Sequence, residues 1–122
     1  RFAPLAPREW VCRLSQTTRE WLEGLGCSTV WDESRPGLYS SQGKVMAMGL
    51  RFQQGISTHG LAINVHNDLA PFSWIMPCGA LGTGVDRLKT DLSLEALFAD
   101  WCETFCKLTT TPISTNLCGS VR

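Results

Sequence analysis

Residues 43–65, GKVMAMGLRFQQGISTHGLAINV, decide the fold. Lys44 to Phe52 and Ser57 to Val65 read as strands, with Gln53-Gln54-Gly55 as the turn between them. In the second segment Leu61, Ile63 and Val65 alternate with Gly60, Ala62 and Asn64, the pattern of a strand with one buried face. Immediately upstream, Leu38 to Ser40 reads as another strand, joined to Lys44 as a hairpin through Ser41-Gln42-Gly43.

Working outward, helical patterns flank the strands. Pro7 to about Gly24 predicts a helix: Pro suits a first helical position, and Trp10, Val11, Leu14, Trp21, Leu22 and Leu25 recur near the helical period. Gly24 and Gly26 supply its stop. Residues 27–37, CSTVWDESRPG, read as a connecting loop with Arg35-Pro36-Gly37 as a turn. Ser93 is the expected N-cap of a last helix running to about Lys107, with an apolar stripe of Leu94, Leu97, Phe98, Trp101, Phe105 and Leu108. Between strands and last helix, Asn67 to Trp74 reads as irregular, with one helical turn after Pro71. Met76-Pro77-Cys78-Gly79 reads as a loop, and the tail after Leu108 has no pattern.

The bulk composition bounds the function. A chain of 122 residues fits one small domain. With 43% hydrophobic and 18% charged residues it is globular rather than disordered. Eleven basic and eleven acidic residues cancel, and no basic stripe is present, so nucleic acid is not an expected partner. No apolar run is long enough to span a bilayer, so no membrane is expected. RFAPLAPREW lacks the apolar core of a signal peptide. Residue 1 is not Met, and the chain is read as an internal fragment or a processed product. The six cysteines, at 12, 27, 78, 102, 106 and 118, are expected as reduced thiols behaving as small apolar residues.

Four groups of residues bear chemistry. Cys78 lies between Pro77 and Gly79, where glycine admits a substrate close to the backbone. Backbone N–H groups after the thiol would face a developing oxyanion. Only the thiolate is nucleophilic, so Cys78 needs a positive neighbour; the competing reading is a loop cysteine with no task. Lys44, at a strand start beside Gly43, reads by itself as a solvated charge, and spacing alone does not place it near Cys78. His59 reads as a base, a substrate contact or a hydrogen-bonded core histidine, and His66 as a surface residue. Cys102 and Cys106 share a helix face and, with Cys118 and His66, define a competing zinc-module reading; core or boundary thiols are the preferred one. Paired glycosidase carboxylates, a G-x-S-x-G elbow, a phosphate loop and a dinucleotide fingerprint are not found.

Taken together, residues 43–79 resemble the C-terminal core of lipoyl(octanoyl) transferases. The resemblance rests on Lys44 with Ala47-Met48-Gly49-Leu50, on His59-Gly60-Leu61-Ala62-Ile63-Asn64, on Asp68-Leu69 with Phe72, and on Met76-Pro77-Cys78-Gly79, in that order. RPGLY, residues 35–39, is similar to the family's entry into the preceding strand. The fold it implies is α+β: part of a biotin/lipoate-ligase-like catalytic domain, a mixed sheet with flanking helices. Family members are longer, and nothing here matches their Arg-Gly-Gly and Tyr-His-Gly-Pro-Gly motifs, so residues 1–122 are expected to be the C-terminal portion of a single catalytic domain whose N-terminal half is missing.

The activity implied is transfer of an octanoyl group from octanoyl-acyl carrier protein, through a Cys78 thioester, to a lysine of lipoyl-domain proteins in lipoate biosynthesis. Lys44 is implied as partner of Cys78, and Ala47, Met48, Gly49, His59, Gly60 and Leu61 as substrate-contacting residues. The acceptors implied are the lipoyl domains of 2-oxoacid dehydrogenases and the glycine cleavage H protein. No cofactor or metal is implied, because the thioester already carries the activation. The implied compartment is the bacterial cytoplasm, or the mitochondrion or plastid in a eukaryote. The alternative is a catalytically inactive fragment acting only as a binding or structural module.

Overall fold

The computed structural model describes residues 6–70 and 84–109. Helix α1 spans Pro7–Gly24 and helix α2 Leu94–Thr109; between them come β1 (Val30–Trp31), β2 (Gly37–Tyr39), β3 (Lys44–Gln53) and β4 (Ile56–Ile63). The strands form one sheet in the order β1-β2-β3-β4, each antiparallel to the next. The α+β expectation holds. Parallel pairing within the described residues is confined to a bridge between Lys44 and Val85. Val30–Trp31, expected as loop, pairs with Leu38–Tyr39 as a two-residue edge strand too short to show a period. Phe72 and the Met76-Pro77-Cys78-Gly79 loop lie outside the described residues, as do Cys118 and the tail.

Helix α1 starts with Pro7 at a position whose N–H has no intrahelical partner to lose. It ends in a paired closure: Gly26 N–H bonds the Glu23 carbonyl and Cys27 N–H the Leu22 carbonyl, with Gly26 at φ +84. That left-handed residue lets the chain turn back while satisfying two terminal carbonyls. The buried side of α1 is not purely apolar: beside Leu14, Trp21 and Leu22 it carries Ser15, Thr17 and Thr18. Ser15 and Thr18 manage this by donating to the Cys12 and Leu14 carbonyls. Cys12 is disulfide-bonded, which corrects the expectation that all six cysteines are thiols; Cys27 and Cys102 carry free thiols.

Helix α2 is capped by Ser93, whose Oγ accepts from Ala96 N–H at 3.2 Å. Two indoles fasten it to α1. Trp21 donates to Asp100 at 2.8 Å, and Trp101 donates at 3.1 Å to the Thr18 hydroxyl. Trp101 also stacks on Phe105, which meets Trp10 edge-on. The shared core comprises Trp21, Leu22, Leu38, Val45, Met46, Val65, Leu88 and Leu97. Of the apolar stripe expected on α2, Leu97 is fully buried, whereas Leu94 and Phe98 remain 59% and 71% exposed.

The β3–β4 turn is two residues long, since Gln53 pairs with Ile56. Gln54 and Gly55 both have positive φ, 52 and 76, the signature of a type I′ turn. Glycine adopts that conformation freely, but glutamine does not. Gln54→Asn, which suits the first turn position, is therefore expected to stabilise the chain by about 0.5–1 kcal/mol. Equilibrium urea unfolding measures it, and an unchanged or lower midpoint would contradict this reading of the turn.

Candidate active site

The pairing of β2 with β3 contains an irregularity that determines where Lys44 sits. Gly37 faces Ala47 and Leu38 faces Met46, but Tyr39 faces Lys44, leaving Val45 without an opposite residue. This is a β-bulge. In an unbroken strand Lys44 would share the face of Met46, which points into the core. The extra residue changes that: Val45 and Met46 both enter the core, and Lys44 comes opposite Tyr39 on the other face. Since directly paired and alternate residues share a face, Lys44 lies on the same side of the sheet as Gly37, Ala47, Gly49, Gly60 and Ala62.

Lys44 is 4% exposed, which is unusual for an ammonium and requires local compensation. Its Nζ lies 5.4 Å from the centroid of the Tyr39 ring, within range of a cation–π attraction. Its stem passes over Gly37: a Cβ there would sit 3.3 Å from Lys44 Cε and would strike the Met46 carbonyl oxygen. Gly43 allows a second close approach, because a Cβ on it would fall 2.6 Å from Val85 N and against the Gly84 carbonyl.

That approach brings the returning chain to Lys44. Lys44 N–H donates to the Gly84 carbonyl at 3.0 Å, and Asp86 N–H donates to the Lys44 carbonyl at 2.9 Å. Asn64 locks the arrangement. Its N–H bonds the Val45 carbonyl, its carbonyl accepts from Leu88 N–H, and its side-chain amide donates to the Asp86 carbonyl. Arg87 adds a bond to the Asn67 carbonyl at 3.0 Å. Asn64, Tyr39 and Asp86 were given no role by the sequence, although a polar residue closing a buried-looking strand was a usable signal for Asn64. Cys78 lies outside the described residues; it is six positions before Gly84, so an extended chain separates the two by at most about 22 Å.

The expected substrate-contacting residues divide between the two faces. Ala47, Gly49 and Gly60 lie together on the Lys44 side, and among the described residues a Cβ added at Gly49 or Gly60 would meet nothing within 4 Å. Met48 and Leu61 do not belong to it. They pair across β3 and β4 on the opposite face and pack on the core, as the two-residue side-chain period demands. His59 lies on the helix side as well: at φ +66 it lines a groove of about 490 Å³, with Leu50, Ser57, Leu94 and Phe98.

The other chemistry-bearing groups have structural partners. His66 Nε2 hydrogen-bonds the Leu92 carbonyl at 2.8 Å. Among the described residues no three His, Cys, Asp or Glu side chains converge as a metal site would need. Burial pushes the Cys27 thiol up, Asp86 adds to the rise, and Lys89 opposes it, so Cys27 is poorly suited to act as a nucleophile. Beside the bulge, Asp32 accepts from the Ser34 hydroxyl and from Arg35 Nε and Nη2. Those bonds, Ser34 first and Arg35 second, hold its carboxyl down at about 2. Among the described residues no helix is long and apolar enough to cross a membrane.

Two expected outcomes follow from this geometry. Gly37→Ala should destabilise by about 2 kcal/mol through overpacking, whereas Gly49→Val, projecting into open space, should leave the thermal midpoint unchanged or raise it. Comparable losses in both variants would refute the contrast between a crowded Gly37 and an uncrowded Gly49. The Asp32 carboxyl lies lower in the folded chain, about 2, than its usual 3.8, so its stabilising contribution is complete above about pH 4 and lost as pH falls through 2. Acid unfolding of Asp32→Asn should therefore lack that component of the decline; superimposable acid curves for variant and parent would count against it.

Comparison with known proteins gives a consistent family. The model of the lipoyl protein ligase A/B catalytic domain matches residues 2–107. An octanoyltransferase of Laribacter hongkongensis (strain HLHK9) is 41% identical over 96 residues, covering 79% of this chain and 46% of that protein. One from Azoarcus sp. (strain BH72) is 44% identical over 85 residues, covering 70% and 37%. A third, from Azotobacter vinelandii, is 37% identical over 100 residues, covering 82% and 46%. The chain thus spans less than half the length of these relatives.

Proposed function

The chain belongs to the lipoyl protein ligase A/B catalytic domain family, and from that premise we propose that it carries the nucleophilic centre of an octanoyltransferase. The observation that supports this most directly is the bulge. It turns Lys44 onto the face of Ala47, Gly49 and Gly60, beside the point where Gly84 and Asp86 bond to the Lys44 backbone. A buried cation there is the positive neighbour a thiolate needs.

In the proposed cycle the Cys78 thiolate attacks the carbonyl carbon of octanoyl-acyl carrier protein. The tetrahedral intermediate expels the pantetheine sulfur, which takes a proton from the Lys44 ammonium. The octanoyl group is now a Cys78 thioester, and Lys44 is neutral. A lysine amine of a lipoyl domain attacks that thioester, Lys44 takes the amine proton, and Cys78 leaves as thiolate. Both partners return to their starting states without an external oxidant or nucleotide. Small residues at Ala47, Gly49 and Gly60 leave room for an extended acyl chain to run close to the backbone. The acceptors would be the lipoyl domains of 2-oxoacid dehydrogenases and the glycine cleavage H protein, in the cytoplasm of a bacterium.

That no described residue covers Gly49 and Gly60 favours a second reading, in which the chain binds these partners but does not turn over alone. Incubation with octanoyl-acyl carrier protein tests both. Mass spectrometry should find one octanoyl group on Cys78, removed by a lipoyl domain and absent in Cys78→Ser. Lys44→Gln should slow acylation by about a hundredfold or more. Gly49→Val should remain folded while losing acylation. Labelling that is not discharged by the acceptor favours the binding reading; labelling unaffected by Cys78→Ser sinks the transferase assignment.

A further inference from the structure

We infer that the polar pocket beside the β2–β3 hairpin seats the phosphopantetheine arm of the acyl donor. The inference rests on the proposal that Lys44 and Cys78 serve acyl transfer. A thioester on such an arm is lopsided. An apolar chain leaves the reactive carbonyl on one side, and an amide-rich arm ending in a phosphate leaves the sulfur on the other. A site for it needs two different surfaces, one to each side of the reacting groups. The strand that begins at Lys44 lies between two such surfaces. Ala47 and Gly49 lie ahead of Lys44 along β3, on its own side of the sheet, with Gly60 paired to Gly49. Behind it lies a pocket of about 600 Å³, walled by residues 25–30, 39–42 and 86–89.

The pocket adjoins the Lys44 face. Its walls include Val30 and Tyr39, which pair across β1 and β2, and Tyr39 pairs onward with Lys44, so the three share one side of the sheet. Two of its walls also meet the Lys44 backbone: Asp86 N–H donates to the Lys44 carbonyl, and Ser40 N–H donates to the Gly43 carbonyl. The lining is polar, as the arm is. Ser28, Gln42 and Lys89 bring donors suited to carbonyl and phosphate oxygens. Thr29 is 5% exposed, and its hydroxyl has no hydrogen-bond partner among the described residues, so the wall holds an unsatisfied polar group. Arg87 and Lys89 are exposed cations of the same wall. Arg87 is held by the Asn67 carbonyl, which makes Lys89 the mobile ammonium able to follow a phosphate.

Thioesters of different arm length test this in the full chain. Octanoyl-phosphopantetheine carries the whole arm, and octanoyl-N-acetylcysteamine stops after its first amide. Cys78 acylation should half-saturate at about tenfold lower concentration with the first than with the second. In Lys89→Glu the two should differ by less than about twofold, whereas Lys107→Glu, the same charge change on α2, should retain the difference. Retention in Lys89→Glu, or equal loss in both variants, overturns the inference. Octanoyl-acyl carrier protein and octanoyl-coenzyme A share the arm, so Lys89→Glu should weaken both. An effect confined to the carrier protein would make Lys89 a contact for that protein's surface and overturn the pocket assignment. Phosphopantetheine without an acyl group separates the pocket from the chemistry. It should shift the amide resonances of Ser28 and Gln42 in the parent and much less in Lys89→Glu; no shift at millimolar concentration overturns the site even if Cys78 is acylated. If those resonances shift but no thioester acylates Cys78, the transferase reading fails and the pocket stands.

Discussion

One unpaired residue, Val45, controls the layout of the sheet. Side chains along a strand alternate strictly, so a lysine two positions before a core methionine would be driven into the core. An ammonium placed among Leu38, Met46 and Val65 without a partner would cost several kcal/mol. The bulge avoids that by inserting one residue into the count. Val45 fills core volume, and Lys44 reaches the opposite face while staying buried. Three glycines then become necessary around it: Gly37 under its stem, and Gly43 against Gly84 where the returning chain closes in. Lysine burial, glycine placement and chain return all follow from a single register shift.

The helix pair meets a different constraint. α1 buries three hydroxyl residues within about one turn, a face too polar to seal by apolar contact alone. Thr18 resolves part of this by donating to the helix backbone and accepting from Trp101, while Trp21 reaches across to Asp100. These directional bonds fix α2 against α1, which apolar packing through Leu97 would leave free to slide. They also explain why Leu94 and Phe98 are left outside: the orientation set by the indoles turns only part of the α2 apolar stripe inward.

Much of the fold was legible because its cues are local. Pro7, Ser93 and the glycines at 24 and 26 mark helix ends, and the Leu61-Ile63-Val65 alternation marks a buried strand face. The register shift was not legible, because pairing between Tyr39 and Lys44 depends on two segments meeting in space. The division of the candidate site follows from the same limit. A motif written as consecutive residues, Ala47-Met48-Gly49 or His59-Gly60-Leu61, joins positions that a strand sends to opposite faces. Only alternate members can line one surface. Lys44 itself could not be told from a surface charge until its burial and its contact with Tyr39 were known.

The two faces of the sheet differ in kind. The helix side carries the large side chains of the core, which interlock around Leu22, Leu38 and Met46 and leave a groove beside His59. The Lys44 side presents Ala47, Gly49, Gly60 and Ala62, residues with almost no side chain to interlock with anything. Such a surface gives little stability in return for being built: glycine in a strand interior costs about 0.5–1 kcal/mol relative to alanine. Its value lies in what it leaves vacant, because a covering group can approach the backbone closely only where no Cβ stands in the way. A smooth floor ending at a buried cation has the form expected for seating an extended apolar chain whose reactive end needs charge. Packing is therefore concentrated on one side of the sheet and small side chains on the other, and the bulge at Val45 is what permits a single strand to serve both.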